Sequence, residues 1–367
     1  MFLKKDNQKK RDKTYMKLAL NLASERIGLT GMNPSVGCVI VKDNEIISIG
    51  QTSFNGRPHA EYNAILNADK KKVKGSTMYV SLEPCTHFGK TNPCTDIIIK
   101  SKIKKLYYAI DDIDLRTSKK AKKKLNNGNV IVVRNFLKHE AKKIYYSYFY
   151  NKINKYPYVT GKIASSKDKF STHKGKQITN SYSQKVSHLL RYKNQGILVS
   201  SKTCNSDNSK LDCRLEGLEK FSPIKFILDK DLKINLKSNI VKNSKNEKTY
   251  IFYNKELEFK KMILRKSGII LIKIDLGPDN NMLISNILRY IKKIGIYYLL
   301  VEGGSTLTKD FLDKSIFNEF YLFKSNSKLL KKGKNNIRSI ISDLNFYFKN
   351  KKKINTFLDN DILINYR

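Results

Sequence analysis

His59-Ala60-Glu61, followed by Pro84-Cys85 and then Cys94, constrains this chain more than any other feature. One imidazole and two thiols make a three-ligand set for zinc, and a catalytic zinc keeps its fourth position for water. Glu61 stands two residues from His59 with nothing to ligate, so it reads as a carboxylate that moves protons beside the metal. This H-x-E…P-C…C arrangement is that of zinc-dependent amino-group hydrolysis. The local structure it demands is specific. Pro58 is expected to initiate a helix with His59 and Glu61 in its first turn, running to about Ala68. A short apolar strand, Met78 to Leu82, is expected to deliver Glu83-Pro84-Cys85 at its end. The competing reading is a closed structural zinc site, for which His87 is the nearby fourth ligand.

The remaining pattern is alternating strands and helices, which gives an α/β layered architecture. Asp12 reads as the cap of a helix ending at Gly28, with Tyr15, Met16, Leu18, Ala19, Leu22 and Ala23 forming its helical pattern. Val36 to Val41 and Ile46 to Ile49 read as a hairpin turning at Asp43-Asn44. A helix is expected over Thr95 to Ser101, with strands at Leu106 to Ile110 and Val130 to Val133. The lysine run Lys119 to Lys124 reads as a solvated helix face. Around Asn151 to Pro157 the pattern restarts, predicting domains at 1–152 and 153–367. Further strands are expected at Tyr158 to Ala164, Gly196 to Ser200, Lys225 to Leu228, Thr249 to Tyr253, Gly268 to Ile272 and Tyr297 to Val301. Helices are expected over Tyr182 to Tyr192 and near Asn286 to Lys293.

Eight residues separate the two cysteines, where nucleic-acid deaminases place two. The segment Glu83 to Cys94, with the upstream Asn33-Pro34-Ser35-Val36-Gly37-Cys38-Val39-Ile40, resembles the signature of the riboflavin-biosynthesis deaminase/reductase (RibD) family. The likeness runs over nearly the whole chain. It implies a cytidine-deaminase-like N-terminal domain and a dihydrofolate-reductase-like C-terminal domain. It implies zinc-dependent deamination of 2,5-diamino-6-(5-phosphoribosylamino)pyrimidin-4(3H)-one, then NADPH-dependent reduction of the ribosyl to a ribityl phosphate side chain. His87 and Lys90 would face the substrate, and Asn33 would hydrogen-bond the pyrimidine.

The same resemblance assigns the second half. Lys162-Ile163-Ala164-Ser165-Ser166-Lys167-Asp168 fits the family's K-x-A-x-S-x-D run, with Ser165 at the cofactor. Arg191 would bind the substrate phosphate. Thr203 and Asp207 fall in the nicotinamide-contacting stretch, and Leu211 and Arg214 in the substrate-contacting one. Val301-Glu302-Gly303-Gly304 is a strand and glycine turn, a form that presents backbone N–H groups to phosphate. Glu302 would meet the ribose, and Gly304, Ser305, Thr306 and Leu307 the NADPH pyrophosphate. The chain departs from the family at Asp114, at Lys169 where a glycine is usual, at the shortened Gly175 to Thr179 stretch, and at Asn208. A deaminase with a decayed reductase half therefore stays open, as does a homo-oligomer.

Composition narrows the partners. Lys plus Arg number 72 against 32 acidic residues, a formal charge of +40. A nucleic-acid deaminase with a basic domain is the alternative this charge suggests. The lysines are scattered and arginine is scarce, however, which reads as drift on solvated surfaces rather than a phosphate-binding patch. The excess would still attract an anionic small molecule over long range. Five cysteines, two of them assigned to metal, make no disulfide framework. No apolar run approaches the ~20 residues of a membrane span, and the N-terminus lacks the apolar core of a secretory signal. A cytoplasmic enzyme with no membrane partner is expected.

Overall fold

Short β-branched and aromatic runs form the strands, and the segments between them that carry one apolar face form the helices. The computed structural model describes residues 2–173 and 177–367. The chain divides into two units, Met1–Asn154 and Lys155–Arg367.

The first unit contains, in order, α1 (Phe2–Glu25), β1 (Gly37–Lys42), β2 (Glu45–Gln51), α2 (Ala60–Leu66), α3 (Lys70–Val73) and β3 (Thr77–Val80). There follow α4 (Cys94–Lys100), β4 (Lys105–Tyr108), α5 (Ala121–Asn127), β5 (Ile131–Val133) and α6 (Lys138–Ile153). Its five strands lie in the order β2-β1-β3-β4-β5. β1 is antiparallel to both neighbours, whereas β3, β4 and β5 run parallel. Val39, Ile40, Met78, Val80, Leu106 and Tyr108 of the central strands are buried. Gly50 allows α2 to lie directly on the sheet: a Cβ there would sit 2.2 Å from the Ala60 carbonyl oxygen. That close approach fixes where the helix bearing Glu61 begins.

Two expectations are corrected here. Asp12 does not cap a helix; it lies inside α1, buried, accepting hydrogen bonds from Tyr79 (2.6 Å), Tyr107 (2.9 Å) and Gln8 (2.8 Å). The helix extends upstream through a polar, lysine-rich turn whose residues favour helix without needing a core. Pro58 is not in α2 either; it joins Arg57 by a cis peptide bond, and His59 is the cap. Helix α6 was not expected, and the anticipated boundary between 152 and 153 falls in its last turn.

The second unit contains β6 (Tyr158–Ser165), β7 (Phe170–His173), α7 (Ser181–Tyr192), β8 (Gly196–Ser200), α8 (Ser201–Asp207), β9 (Ile224–Leu228), α9 (Asn239–Asn243), β10 (Thr249–Tyr253) and α10 (Glu258–Lys266). It continues with β11 (Ile270–Lys273), α11 (Ile284–Lys293), β12 (Tyr298–Glu302), α12 (Ser305–Asp313), β13 (Glu319–Lys324), β14 (Gly333–Asn336), α13 (Arg338–Tyr347), β15 (Lys351–Lys353) and β16 (Ile362–Tyr366). Nine strands form one sheet, β11-β10-β9-β8-β12-β6-β13-β16-β15, and β7 pairs with β14. The first seven are parallel, and β16 runs antiparallel to both its neighbours, β13 and β15. Near-continuous burial of β8, β10 and β12 is what a parallel sheet covered on both faces requires. The predicted strands of this unit are present, and β7, β13, β14, β15 and β16 add to them. Carboxyl ends of neighbouring parallel strands are where open α/β sheets bind ligands. Here Ser200, Glu302 and Ser165 end the adjacent strands β8, β12 and β6.

Candidate active site

In the first unit two helix starts and one strand end converge. His59 caps α2, Cys94 opens α4, and Cys85 follows β3 by five residues. The ligand atoms of His59, Cys85 and Cys94 all lie within 4.8 Å of one another. His59 Nδ1 is 3.3 Å from Cys94 Sγ and 3.6 Å from Cys85 Sγ. A tetrahedral zinc with bonds of about 2.05 Å to nitrogen and about 2.3 Å to sulfur separates such donors by roughly 3.6 Å, so the residues fit the metal. The Cys94 backbone N–H donates to Cys85 Sγ at 3.2 Å. The Cys94 thiol and His59 hold the Cys85 thiol well below the ordinary range despite burial, which favours the thiolate a metal needs.

Glu61 is buried beside this cluster, and burial pushes its carboxyl up to about 7. A carboxyl poised near neutrality accepts and returns a proton in one cycle. Among the described residues the metal-competent group is His59, Cys85 and Cys94, without His87. His87 instead places Nδ1 3.1 Å from Thr117 Oγ1. The closed-site alternative therefore lacks its fourth ligand. Lys90 is exposed on the loop between the cysteines. Asn33 donates from Nδ2 to the Gly56 carbonyl at 3.2 Å.

In the second unit the structure pairs two residues that were expected to touch substrate separately. Arg191, in the last turn of α7, donates Nε and Nη2 to the two Glu302 oxygens at 2.8 and 3.0 Å. Its Nη1 donates to the Asp212 carbonyl at 3.0 Å. Lys162 lies opposite Glu302 in the β6–β12 register, with Nζ 3.9 Å from Glu302 Oε2. Burial pushes the Glu302 carboxyl up, but Arg191 and Lys162 outweigh it and hold it at about 2. Lys162 had no assigned role; its signal was its place in the K-x-A-x-S-x-D run. Arg214 donates to Asp212 Oδ1 at 2.6 Å and is half exposed. Leu211 is buried in the core with a φ of 59°, so its side chain faces away from solvent.

The glycine turn after Glu302 leaves a cradle. A Cβ on Gly303 would lie 2.7 Å from Thr308 Oγ1, and one on Gly304 would approach Thr203 Oγ1 at 3.7 Å. Gly304 caps α12, so Ser305 and Thr306 stand at its start with Leu307 buried behind them. Thr203, near the start of α8, therefore borders the same turn. This bare backbone at a helix start fits a pyrophosphate. Ser165 is buried, donating to the Ser166 carbonyl at 2.8 Å, and Asp207 is exposed at the end of α8. Of the shortened Gly175 to Thr179 stretch, residues 175 and 176 lie outside the described residues.

Residues 9–110 match the cytidine and deoxycytidylate deaminase zinc-binding region, and residues 157–363 match the RibD C-terminal domain. Riboflavin biosynthesis protein RibD of Aquifex aeolicus is 37% identical over 362 residues, covering 97% of this chain and 98% of that protein. A Thermotoga maritima diaminohydroxyphosphoribosylaminopyrimidine deaminase/5-amino-6-(5-phosphoribosylamino)uracil reductase superposes with a TM-score of 0.80 at 30% identity, covering 98% and 99% of the two chains. Acinetobacter baumannii RibD does so with a TM-score of 0.80 at 26% identity over the same shares. Fold and site together define a two-part enzyme, a zinc deaminase of cytidine-deaminase-like fold joined to an NADPH-dependent reductase of dihydrofolate-reductase-like fold. Within that class the chain belongs to the RibD family of riboflavin biosynthesis proteins.

Proposed function

We propose that the unit Met1–Asn154 deaminates 2,5-diamino-6-(5-phosphoribosylamino)pyrimidin-4(3H)-one and that Lys155–Arg367 reduces the ribosyl of the product to a ribityl phosphate chain. The convergence of His59, Cys85 and Cys94 with a buried Glu61 beside them carries the first half of this reading. When bound, Zn2+ supplies an acidified water at its open position. Glu61 takes one proton from the attacking water and passes it to the ring nitrogen, then takes the second from the new C–OH and passes it to the departing amine. One C–O bond forms, one C–N bond breaks, and ammonia leaves. His87 and Lys90 hold the substrate from the loop between the cysteines, and Asn33 holds the pyrimidine from the turn before β1.

NADPH supplies the hydride for the second half. Ser165, Thr203, Asp207 and the Gly304–Leu307 turn hold it. Glu302, kept ionised by Arg191 and Lys162, accepts hydrogen bonds from the ribose hydroxyls. Arg214, with donors free of Asp212, faces the substrate phosphate, while Arg191 reaches that phosphate only by sharing its guanidinium with Glu302. The substrate is a small anionic molecule drawn in by the chain's positive charge, and the cytoplasm keeps the two thiol ligands reduced.

Glu61→Gln tests the reading. The variant should keep one equivalent of zinc by elemental analysis and lose ammonia release by about 10²–10⁴-fold. Parental turnover in that variant would remove Glu61 from the mechanism.

A further inference from the structure

Glu83 is a buried carboxylate that the chemistry above does not use. Its side chain collects three backbone donors from one segment: Oε2 accepts from Asp112 N (3.1 Å) and Lys119 N (2.9 Å), and Oε1 from Ala121 N (3.1 Å). It makes no salt bridge among the described residues, so these amides are the groups that meet its charge. Its own N–H donates to the Ile110 carbonyl at 2.9 Å. The captured segment in turn touches the residues that follow Cys85. Thr86 Oγ1 donates to the Arg116 carbonyl at 3.1 Å, and Thr117 Oγ1 meets His87 Nδ1 at 3.1 Å. Charge-assisted bonds to backbone N–H groups are strong and directional. The carboxylate is thus tied to a loop whose middle supports His87.

We propose that Glu83 is a positioning residue for deamination: it fixes the 112–121 segment under the turn that follows Cys85 and so sets how firmly the substrate is held. This rests on the deaminase reading above. A residue serving only the fold would change stability and leave the balance of KM and kcat alone.

The test uses the full zinc-loaded chain with Glu83→Gln and Glu83→Asp. A glutamine keeps one acceptor oxygen and turns an NH2 toward amide donors, whereas aspartate keeps both oxygens on a shorter stem. In Glu83→Gln the KM for ammonia release should rise about tenfold, with kcat within about threefold of the parent. Zinc should stay at one equivalent and NADPH oxidation by the other unit should be unchanged. Hydrogen exchange at the amides of Asp112, Lys119 and Ala121 should accelerate, and Glu83→Asp should recover part of both effects. Zinc loss, a fall in kcat at constant KM, or undiminished amide protection would each overturn the proposal. A parent chain that releases no ammonia overturns the deaminase reading and this proposal with it, while an active parent with an unaltered Glu83→Gln KM overturns this proposal alone.

Discussion

Lys169 shows how a single position records a family constraint. The resemblance to the family implies a glycine there, and the residue adopts a φ of 69°. That left-handed backbone crowds a Cβ against the following carbonyl oxygen, a cost of roughly 1–2 kcal/mol for an ordinary residue. The turn persists because Asp168 anchors it, accepting from Ser166 Oγ at 2.6 Å and from Leu330 N at 2.7 Å. Lys169→Gly should therefore stabilise the second unit by about 1 kcal/mol, less what glycine gains in unfolded freedom, read as a higher denaturant midpoint. A midpoint lowered by the full entropic cost of glycine, about 0.4–1 kcal/mol, would show that the turn carries no such strain. Glu302 makes a second residue-level prediction. Its folded carboxyl sits at about 2, against an ordinary 4.5. A lowered carboxyl contributes stability that is complete above the unfolded value and is lost as pH falls through the folded one. The second unit should therefore lose stability between about pH 4.5 and pH 2, and Glu302→Gln should flatten that acid limb. The variant should also cost about 3–5 kcal/mol at neutral pH, because Arg191 and Lys162 are left buried without their anion. An acid limb of the same size in the variant would assign it to other carboxylates.

Elements whose cause is local were legible, and those whose cause is distant were not. The β1–β2 hairpin follows from Asp43-Asn44, two residues with φ of 49° and 65° that suit a tight turn. Strand β8 runs from Gly196 to Ser200, the span its apolar run predicts. The candidate zinc ligands His59, Cys85 and Cys94 were legible because a proline precedes each, Pro58, Pro84 and Pro93, and two of the three stand at helix starts. Asp12 was misread because a cap and a buried helix carboxylate look alike in sequence. What distinguishes them is Tyr79, 67 residues away, and Tyr107, 95 residues away. The Arg191–Glu302 pair, 111 residues apart, was invisible for the same reason; each partner alone suggested a ligand contact. β13 was missed although Phe320-Tyr321-Leu322-Phe323 is a strand-like run, because no glycine or proline announces its start. The task of Glu83 has no signature in the sequence, since its partners are backbone amides, which no residue pattern advertises.

At the scale of the whole molecule, the two chemistries are carried by different stretches of chain. His59, Glu61, Cys85 and Cys94 all lie in Met1–Asn154, and Lys162, Arg191, Glu302 and the Gly303-Gly304 turn all lie in Lys155–Arg367. The family matches divide the same way, at 9–110 and 157–363. Each unit also has its own buried core, one around Val39, Met78 and Leu106 and the other around Leu198, Phe226 and Leu299. A metal contributes folding energy where its ligands have no other support, but here the ligands hang on elements already held by a core. Removing zinc should therefore silence one chemistry without unfolding either unit. Dialysis of the full chain against a chelator should abolish ammonia release and restore it on adding one equivalent of zinc. NADPH oxidation with substrate that is already deaminated should continue at the parental rate throughout, followed by cofactor absorbance. If oxidation falls with zinc and returns with it, the reductase depends on the metal unit and the two stretches do not act independently. If oxidation is absent in zinc-loaded protein as well, the departures at Lys169 and Asn208 mark a reductase half that has lost its reaction, leaving the deaminase as the working part of the chain.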